Sequence, residues 1–156
     1  MILRFPEFSR DMRRGEEGAI DALLHRAFDG VREAQLVAAL RRAGDIAGEV
    51  VLPFQGGVVG YYALSRMRAP EDWLCVAVVA IDPDWQGSGH GRRLIGVLGE
   101  WARLSGRHVV TTGPAGFFER AGFVTASIDG AEVMLAGPGG ATDNTSLIYP
   151  AAFGSR

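Results

Sequence analysis

The sequence predicts a mixed α/β (α+β) protein, a single sheet with helices on its faces. Three observations carry this. Two stretches of helical periodicity open the chain. A run of nine uncharged residues, Trp73 to Ile81, crosses its middle and passes through Pro83 into a glycine-rich loop and a further amphipathic stretch. Two hairpin signals, Gln55-Gly56-Gly57 and Asp129-Gly130, flank that run. At 156 residues, with 47% hydrophobic and 22% charged side chains, the chain is long enough for a buried core and has an ordinary globular composition. One domain spanning 1–156 is expected.

Residues 1–7 read as an irregular lead-in, and Phe8 to Arg14 as a short first strand. Ile20, Leu23, Leu24, Ala27 and Phe28 recur at helical spacing, one face of a helix over 16–28 with Glu16 and Glu17 in its first turn. Asp29-Gly30 breaks it. A second helix over 31–43 turns Leu36, Val37 and Leu40 inward and Arg32, Arg41 and Arg42 outward, and Gly44 ends it. Glu49 to Phe54 and Val58 to Leu64 are rich in Val and aromatic residues and form a hairpin. Met67 to Asp72 is a polar loop. Trp73 to Ile81 lacks alternation, as a strand buried on both faces does, so it belongs at the centre of the sheet.

The helix after the glycine loop, over 90–105, sets Leu94, Val97, Leu98, Trp101 and Leu104 on one side, and Ser105-Gly106 ends it. Arg107 to Thr112 is a short strand. Pro114 opens a brief helix to 120, and Phe123 opens another strand. Glu132 to Ala136 follows the Asp129-Gly130 turn. A loop over 137–144 leads to a last short strand, Ser146 to Tyr149.

Net charge is −2 and the pI about 5.9. No basic excess argues for nucleic acid as a partner. All 16 basic residues are arginine. One cysteine, Cys75, excludes an internal disulfide and a multi-cysteine metal site, and its apolar neighbours mark it as a small buried hydrophobe. No metal is expected. No segment has the length and hydrophobicity of a signal peptide or a membrane span, so no membrane partner is expected and the cytoplasm is the expected compartment.

The loop Gln86-Gly87-Ser88-Gly89-His90-Gly91, with Arg92 behind it, joins a strand end to a helix start. Free N–H groups and the positive end of the helix dipole there suit a phosphate-bearing ligand. The Walker pattern requires a lysine, and the chain has none. The dinucleotide fingerprint requires Gly-x-Gly-x-x-Gly, whereas these glycines fall at 87, 89 and 91, and Arg107 to Val110 stand where the acid would be. A third pattern fits. Preceded by Val79-Ala80-Ile81-Asp82-Pro83, the loop resembles the acyl-CoA loop of the GNAT superfamily of N-acetyltransferases, Gln/Arg-x-x-Gly-x-Gly/Ala. Gly116-Phe117-Phe118-Glu119-Arg120-Ala121-Gly122-Phe123 resembles the aromatic segment that follows it in that family. Residues 19–28 and 33–41 are similar to the YhbS-type branch. The resemblance covers most of residues 10–125 and, more loosely, the tail.

The resemblance implies the GNAT fold, a central mixed, largely antiparallel sheet of six to seven strands flanked by about four helices. It implies an N-acyltransferase moving an acetyl group from acetyl-CoA to a primary amine by direct attack, with an amine acceptor that the chain does not identify and a possible homodimer. Gln86, Gly87, Ser88, Gly89, His90, Gly91 and Arg92 would hold the pyrophosphate. The backbone of Val79 and Ile81 would pair with the pantetheine arm as an added strand does, with the Val79 N–H also facing the oxyanion. Phe118 would pack against the arm. The family's usual acid is a tyrosine in the aromatic pair, and Phe117-Phe118 has no hydroxyl. Thr111, Thr112, Tyr61, Tyr62, Tyr149 or water would stand in. The base is open among Glu33, Glu49, Glu71 and Asp72. His25 and His108 read as structural or exposed, and Trp85 and Trp101 as packing residues. The missing hydroxyl also motivates an alternative, a non-catalytic acyl-CoA-binding domain. A transferase acting on aminoacyl-tRNA is disfavoured by the acidic pI.

Overall fold

The computed structural model of the protein describes residues 6–139, 142 and 144–154. Its strands are β1 (Arg10–Asp11), β2 (Ile46–Phe54), β3 (Gly57–Arg66), β4 (Leu74–Ile81), β5 (Val109–Thr111), β6 (Val124–Ile128) and β7 (Ala131–Ala136). Its helices are α1 (Glu17–Ala27), α2 (Arg32–Ala43), α3 (His90–Ser105) and α4 (Ala115–Arg120), and single 3-10 turns occupy Pro83–Trp85 and Ala151–Phe153. The strands form one seven-stranded sheet in the order β1-β2-β3-β4-β5-β7-β6. Only β4 and β5 run parallel; the other neighbours are antiparallel. The sheet is therefore mixed and largely antiparallel, as expected, and the uncharged run forms its middle strand.

Each face of the sheet carries a pair of helices. The α1 stripe of Ile20, Leu23 and Leu24 and Val37 of α2 pack on Val51, Tyr61, Ala63, Val78 and Ala80. On the opposite face Leu94, Ile95 and Leu98 of α3 and Phe118 of α4 pack on Tyr62, Leu64, Leu74, Val76 and Val109. Burying these apolar side chains drives the layering.

The face of α3 differs from expectation. Val97, Trp101 and Leu104 are exposed by 66%, 42% and 80%, while Gly91, Leu94, Ile95, Leu98, Gly99 and Ala102 are buried. The helix packs through its smallest residues. A Cβ on Gly91 would stand 3.2 Å from Ile81 and Phe117, and one on Gly99 would stand 3.4 Å from Phe123. The close approach of the helix axis to the sheet outweighs the larger apolar area of the outer stripe.

The first and last strands are also shorter than expected. β1 keeps two residues of the expected 8–14 span. Ser146 to Tyr149 is not a strand but a single bridge, Ala69 to Ile148. Its partner is followed by Pro70, which has no N–H to extend a ladder. Residues 1–5 of the lead-in and 140, 141 and 143 of the 137–144 loop lie outside the described residues.

Arg10 of β1 holds Glu16 at the start of α1 through two bonds of 2.9 and 2.8 Å, and the Arg13 N–H donates to the same carboxylate. The guanidinium beside it, with the Arg13 N–H, lowers the Glu16 carboxyl from 4.5 to about 2. A depressed carboxylate pKa means that the native state stays ionised where the unfolded chain takes up a proton. The contribution to stability is complete above pH 4.5 and is lost as pH falls toward 2. In urea titrations over this window, Glu16→Gln is expected to lose less stability than the parent between pH 5 and pH 2.

Candidate functional site

The site is built where β4 and β5 part. The two strands pair only at Leu74 with Val109 and Cys75 with Val110. Past that point β4 continues to Ile81, while β5 ends at Thr111 and turns at Gly113 into α4. At the apex the Thr111 hydroxyl donates to the Val76 carbonyl at 3.3 Å and accepts the Gly113 N–H at 3.1 Å, replacing the next rung of the ladder. A bulge contributes to the parting. Ala63 pairs with Val78 and Leu64 with Val76, so Ala77 is the extra residue of β4.

Register shows where the backbone of β4 is aimed. The Asp82 N–H donates to the Val59 carbonyl. This makes Gly60–Ile81 a non-hydrogen-bonded pair, and by alternation Tyr62–Val79 is another. The N–H and C=O groups of Val79 and Ile81 thus face away from β3, into the gap left by β5. The Ile81 carbonyl accepts the Gln86 side-chain amide at 3.0 Å. Gln86 thereby ties the glycine loop to the strand end.

The loop sits at the mouth of the gap. Asp82 accepts the Asp84 N–H, and Pro83–Trp85 makes one 3-10 turn. Trp85 is buried against Phe54 at a ring distance of 4.6 Å, so it packs as expected. Gly87 and Gly89 take φ of 86° and 81°, the left-handed region that glycine occupies without strain. Gly89 caps α3, whose first turn carries no acidic residue. The guanidinium tips of Arg92 and Arg93 lie 3.7 and 3.0 Å from the place of a Gly89 Cβ. Arg93 also donates to the Ser88 carbonyl at 3.2 Å and meets His90 Nδ1 at 2.9 Å. Burial, with Arg93 beside it, pushes the His90 pKa down, which keeps the ring neutral and lets Nδ1 accept. Loop N–H groups, helix dipole and two guanidinium groups form a cup for an anion.

Loop and gap belong to one cavity of about 910 Å³. It is lined by every residue singled out from the sequence as cofactor-binding: Val79, Ile81, Gln86, Gly87, Ser88, Gly89, His90, Gly91, Arg92 and Phe118. Phe118 is 1% exposed, so it is a core side chain that also forms cavity wall. Arg120, Cys75, Phe28 and Phe153 line the cavity as well. No local signal in the sequence places these four at a site; Phe153 lies in a tail without periodic pattern.

The candidates for proton transfer are thinned. Tyr61, Tyr62 and Tyr149 do not line the cavity; Thr111 and Thr112 do. The Thr111 proton is engaged by Val76. Tyr61 is fully buried under α1 and α2 and donates to Glu49. Burial first, and then the Glu49 carboxylate, push its pKa far up. Glu49 also accepts from Arg41 at 2.7 Å, which makes it one member of an interior ion pair rather than a free base. Glu71 borders a separate groove beside Trp101, and Asp72 is exposed on the preceding turn. Of the four expected bases, only Glu33 lines the cavity.

The comparisons point to one family. Residues 35–125 match the family model described as acetyltransferase (GNAT) domain. The uncharacterized N-acetyltransferase YhbS of Escherichia coli (strain K12) is 36% identical over 116 residues, which cover 69% of this chain and 68% of that protein. The crystal structure of YhbS from Escherichia coli in complex with CoA superposes with a TM-score of 0.85 at 25% identity, over 99% of this chain and 96% of the other. A GNAT family acetyltransferase from Brucella melitensis in complex with acetyl-CoA superposes with a TM-score of 0.79 at 26% identity, over 94% and 97%. Among the described residues no group of side chains could hold a metal ion, and no helix is long and apolar enough to cross a membrane. With the family matched over residues 35–125, across the parted strands and the glycine loop, the chain belongs to the GNAT acetyltransferases.

Proposed function

We propose that this protein transfers the acetyl group of acetyl-CoA to a primary amine by direct attack, within one domain spanning 1–156. The observation that carries the reading is the gap past Cys75 and Val110, with the backbone of Val79 and Ile81 turned into it and the glycine cup at its mouth. The N–H groups of Gly87 to Gly91, with Arg92, hold the pyrophosphate, His90 stands beside it, and Gln86 and Ser88 shape the loop. Val79 and Ile81 present the edge of β4 to the pantetheine arm, and Phe118 supports the wall. The Val79 N–H faces the carbonyl oxygen of the thioester and stabilises the charge that develops on it. The ammonium gives one proton to water, the neutral nitrogen bonds to the carbonyl carbon, the C–S bond breaks with its electron pair on sulfur, the nitrogen gives its surplus proton to water, and the sulfur leaves as a thiolate. Thr112 or water supplies its proton, since the aromatic pair has no hydroxyl.

The buried thiol of Cys75 fits the cytoplasm as the compartment. A homodimer belongs to the same reading on family resemblance alone. The Phe117-Phe118 pair favours one second reading, an acyl-CoA-binding domain without turnover. A panel of primary amines supplied with acetyl-CoA and followed by free-thiol release separates the two. Thiol release that depends on an amine is expected. Binding of acetyl-CoA without turnover of any amine would replace the enzyme by the binding domain.

A further inference from the structure

We propose that Glu33 supplies the counter-charge for the acceptor, and that the acceptor is a monocationic primary amine on an apolar stem without a carboxylate. This rests on the acyl-transfer reading for its biological sense, but not for its test. The cavity reaches both faces of the sheet through the gap between β4 and β5. Val79 and Ile81 pack toward α3 and α4, whereas Cys75 and Val78 pack on the opposite side. The basic cup lies at one end. On the side of the sheet that carries α1 and α2 the lining includes Phe28, Glu33, Cys75, Val78 and Phe153.

Glu33 stands in the first turn of α2 and is half-buried. Its carboxylate makes no hydrogen bond or ion pair with any described residue. Asp29 and Asp45, beside the same helices, also lack a side-chain partner among the described residues, but neither lines the cavity, and three other carboxylates there are engaged. Glu16 is held by Arg10, Glu49 by Arg41 and Tyr61, and Asp82 by Arg26. Among the described residues lining the cavity, Glu33 is the one carboxylate, and the lining arginines, Arg92 and Arg120, belong to the anion-cup end and to α4. A half-buried carboxylate without a partner among the described residues is suited to a cation from the ligand. Phe28 and Phe153, which line the same cavity, offer aromatic surface to an ammonium and apolar surface to its stem. Among the described lining residues no cation stands on α1, α2 or the Ala151–Phe153 turn, so a substrate carboxylate there would find none of them to pair with.

The test measures binding to the CoA-loaded protein by titration calorimetry, with phenethylamine, phenylalanine and 1,4-diaminobutane as probes. Phenethylamine is expected to bind at least tenfold more tightly than the other two. Glu33→Gln is expected to weaken it by roughly tenfold or more, and Glu33→Asp by less. The affinity of both variants for CoA is expected to match that of the parent, which also verifies folding. The proposal is overturned if phenethylamine binds Glu33→Gln as well as the parent. It is also overturned if phenylalanine or the diamine binds as tightly, or if no monocationic probe binds. Binding that depends on Glu33 without acetylation would leave this proposal standing and remove the transferase reading instead.

Discussion

Gly89→Asp abolishes stabilisation by acetyl-CoA and leaves the protein folded. At a ligand concentration about 100-fold above its dissociation constant, the parent gains about 2.7 kcal/mol, roughly 5–10 °C in a protein of this size. Gly89 stands at the centre of the cup, at φ 81°. Aspartate tolerates this region better than most residues and is a favourable helix cap. The nearest atom to its Cβ is the tip of the Arg93 side chain, which can move. The fold therefore changes by about 1 kcal/mol or less. In the proposed complex the carboxylate, however, would face the phosphates and draw in the guanidinium groups that would bind them. Gly89→Ala, without the charge, carries the backbone strain alone and retains part of the shift. Thermal melts of all three proteins with and without acetyl-CoA check this.

Phe118→Ala has the largest expected effect on stability, a loss of about 3–5 kcal/mol, or roughly 6–20 °C in melting temperature. The ring is 1% exposed and meets Phe117 and Phe123 at 5.1 and 5.2 Å. It also fills the space over Gly113, where a Cβ would come within 2.6 Å of it. Phe118 thus holds the turn from β5 into α4, one wall of the gap. Its removal leaves a void beside the cleft that the helix cannot close without moving. Acetyl-CoA affinity is expected to fall together with stability. Phe118→Leu, which keeps most of the buried volume, is expected to lose less than half as much. Chemical denaturation of the two variants is the corresponding measurement.

What the sequence made legible was local. The uncharged run, its stop at Pro83, the alternating glycines and the helix after them are consecutive, and each follows from backbone chemistry over a few residues. Hence the middle strand, the cup and the start of α3 can be read from residue order alone. The inward face of α3 cannot. Leu94 and Leu98 belong to both possible stripes, and the choice between Val97-Trp101 and Ile95-Ala102 depends on how closely Gly91 and Gly99 let the helix approach. That is a property of packing, not of hydrophobic periodicity. Ser146 to Tyr149 has strand composition, yet its partner runs into Pro70, far away in sequence. Proton carriers were least legible for the same reason. Glu33 and Glu49 look alike in sequence, and only the fold gives Glu49 to Arg41 and Tyr61 while leaving Glu33 on the cavity wall. Phe153 reaches the cavity from a tail whose course no local pattern predicts.

In the proposed complex acetyl-CoA lies along the free edge of β4 with its phosphates in the glycine cup. Amide chemical shifts followed through a titration with acetyl-CoA test it most directly. The predicted result is saturable change at Val79, Ile81, Gly87, Gly89 and Gly91, with the amides of β2 nearly unmoved. Absence of change at millimolar acetyl-CoA, or change centred on the groove beside Trp101 rather than on these residues, would contradict it.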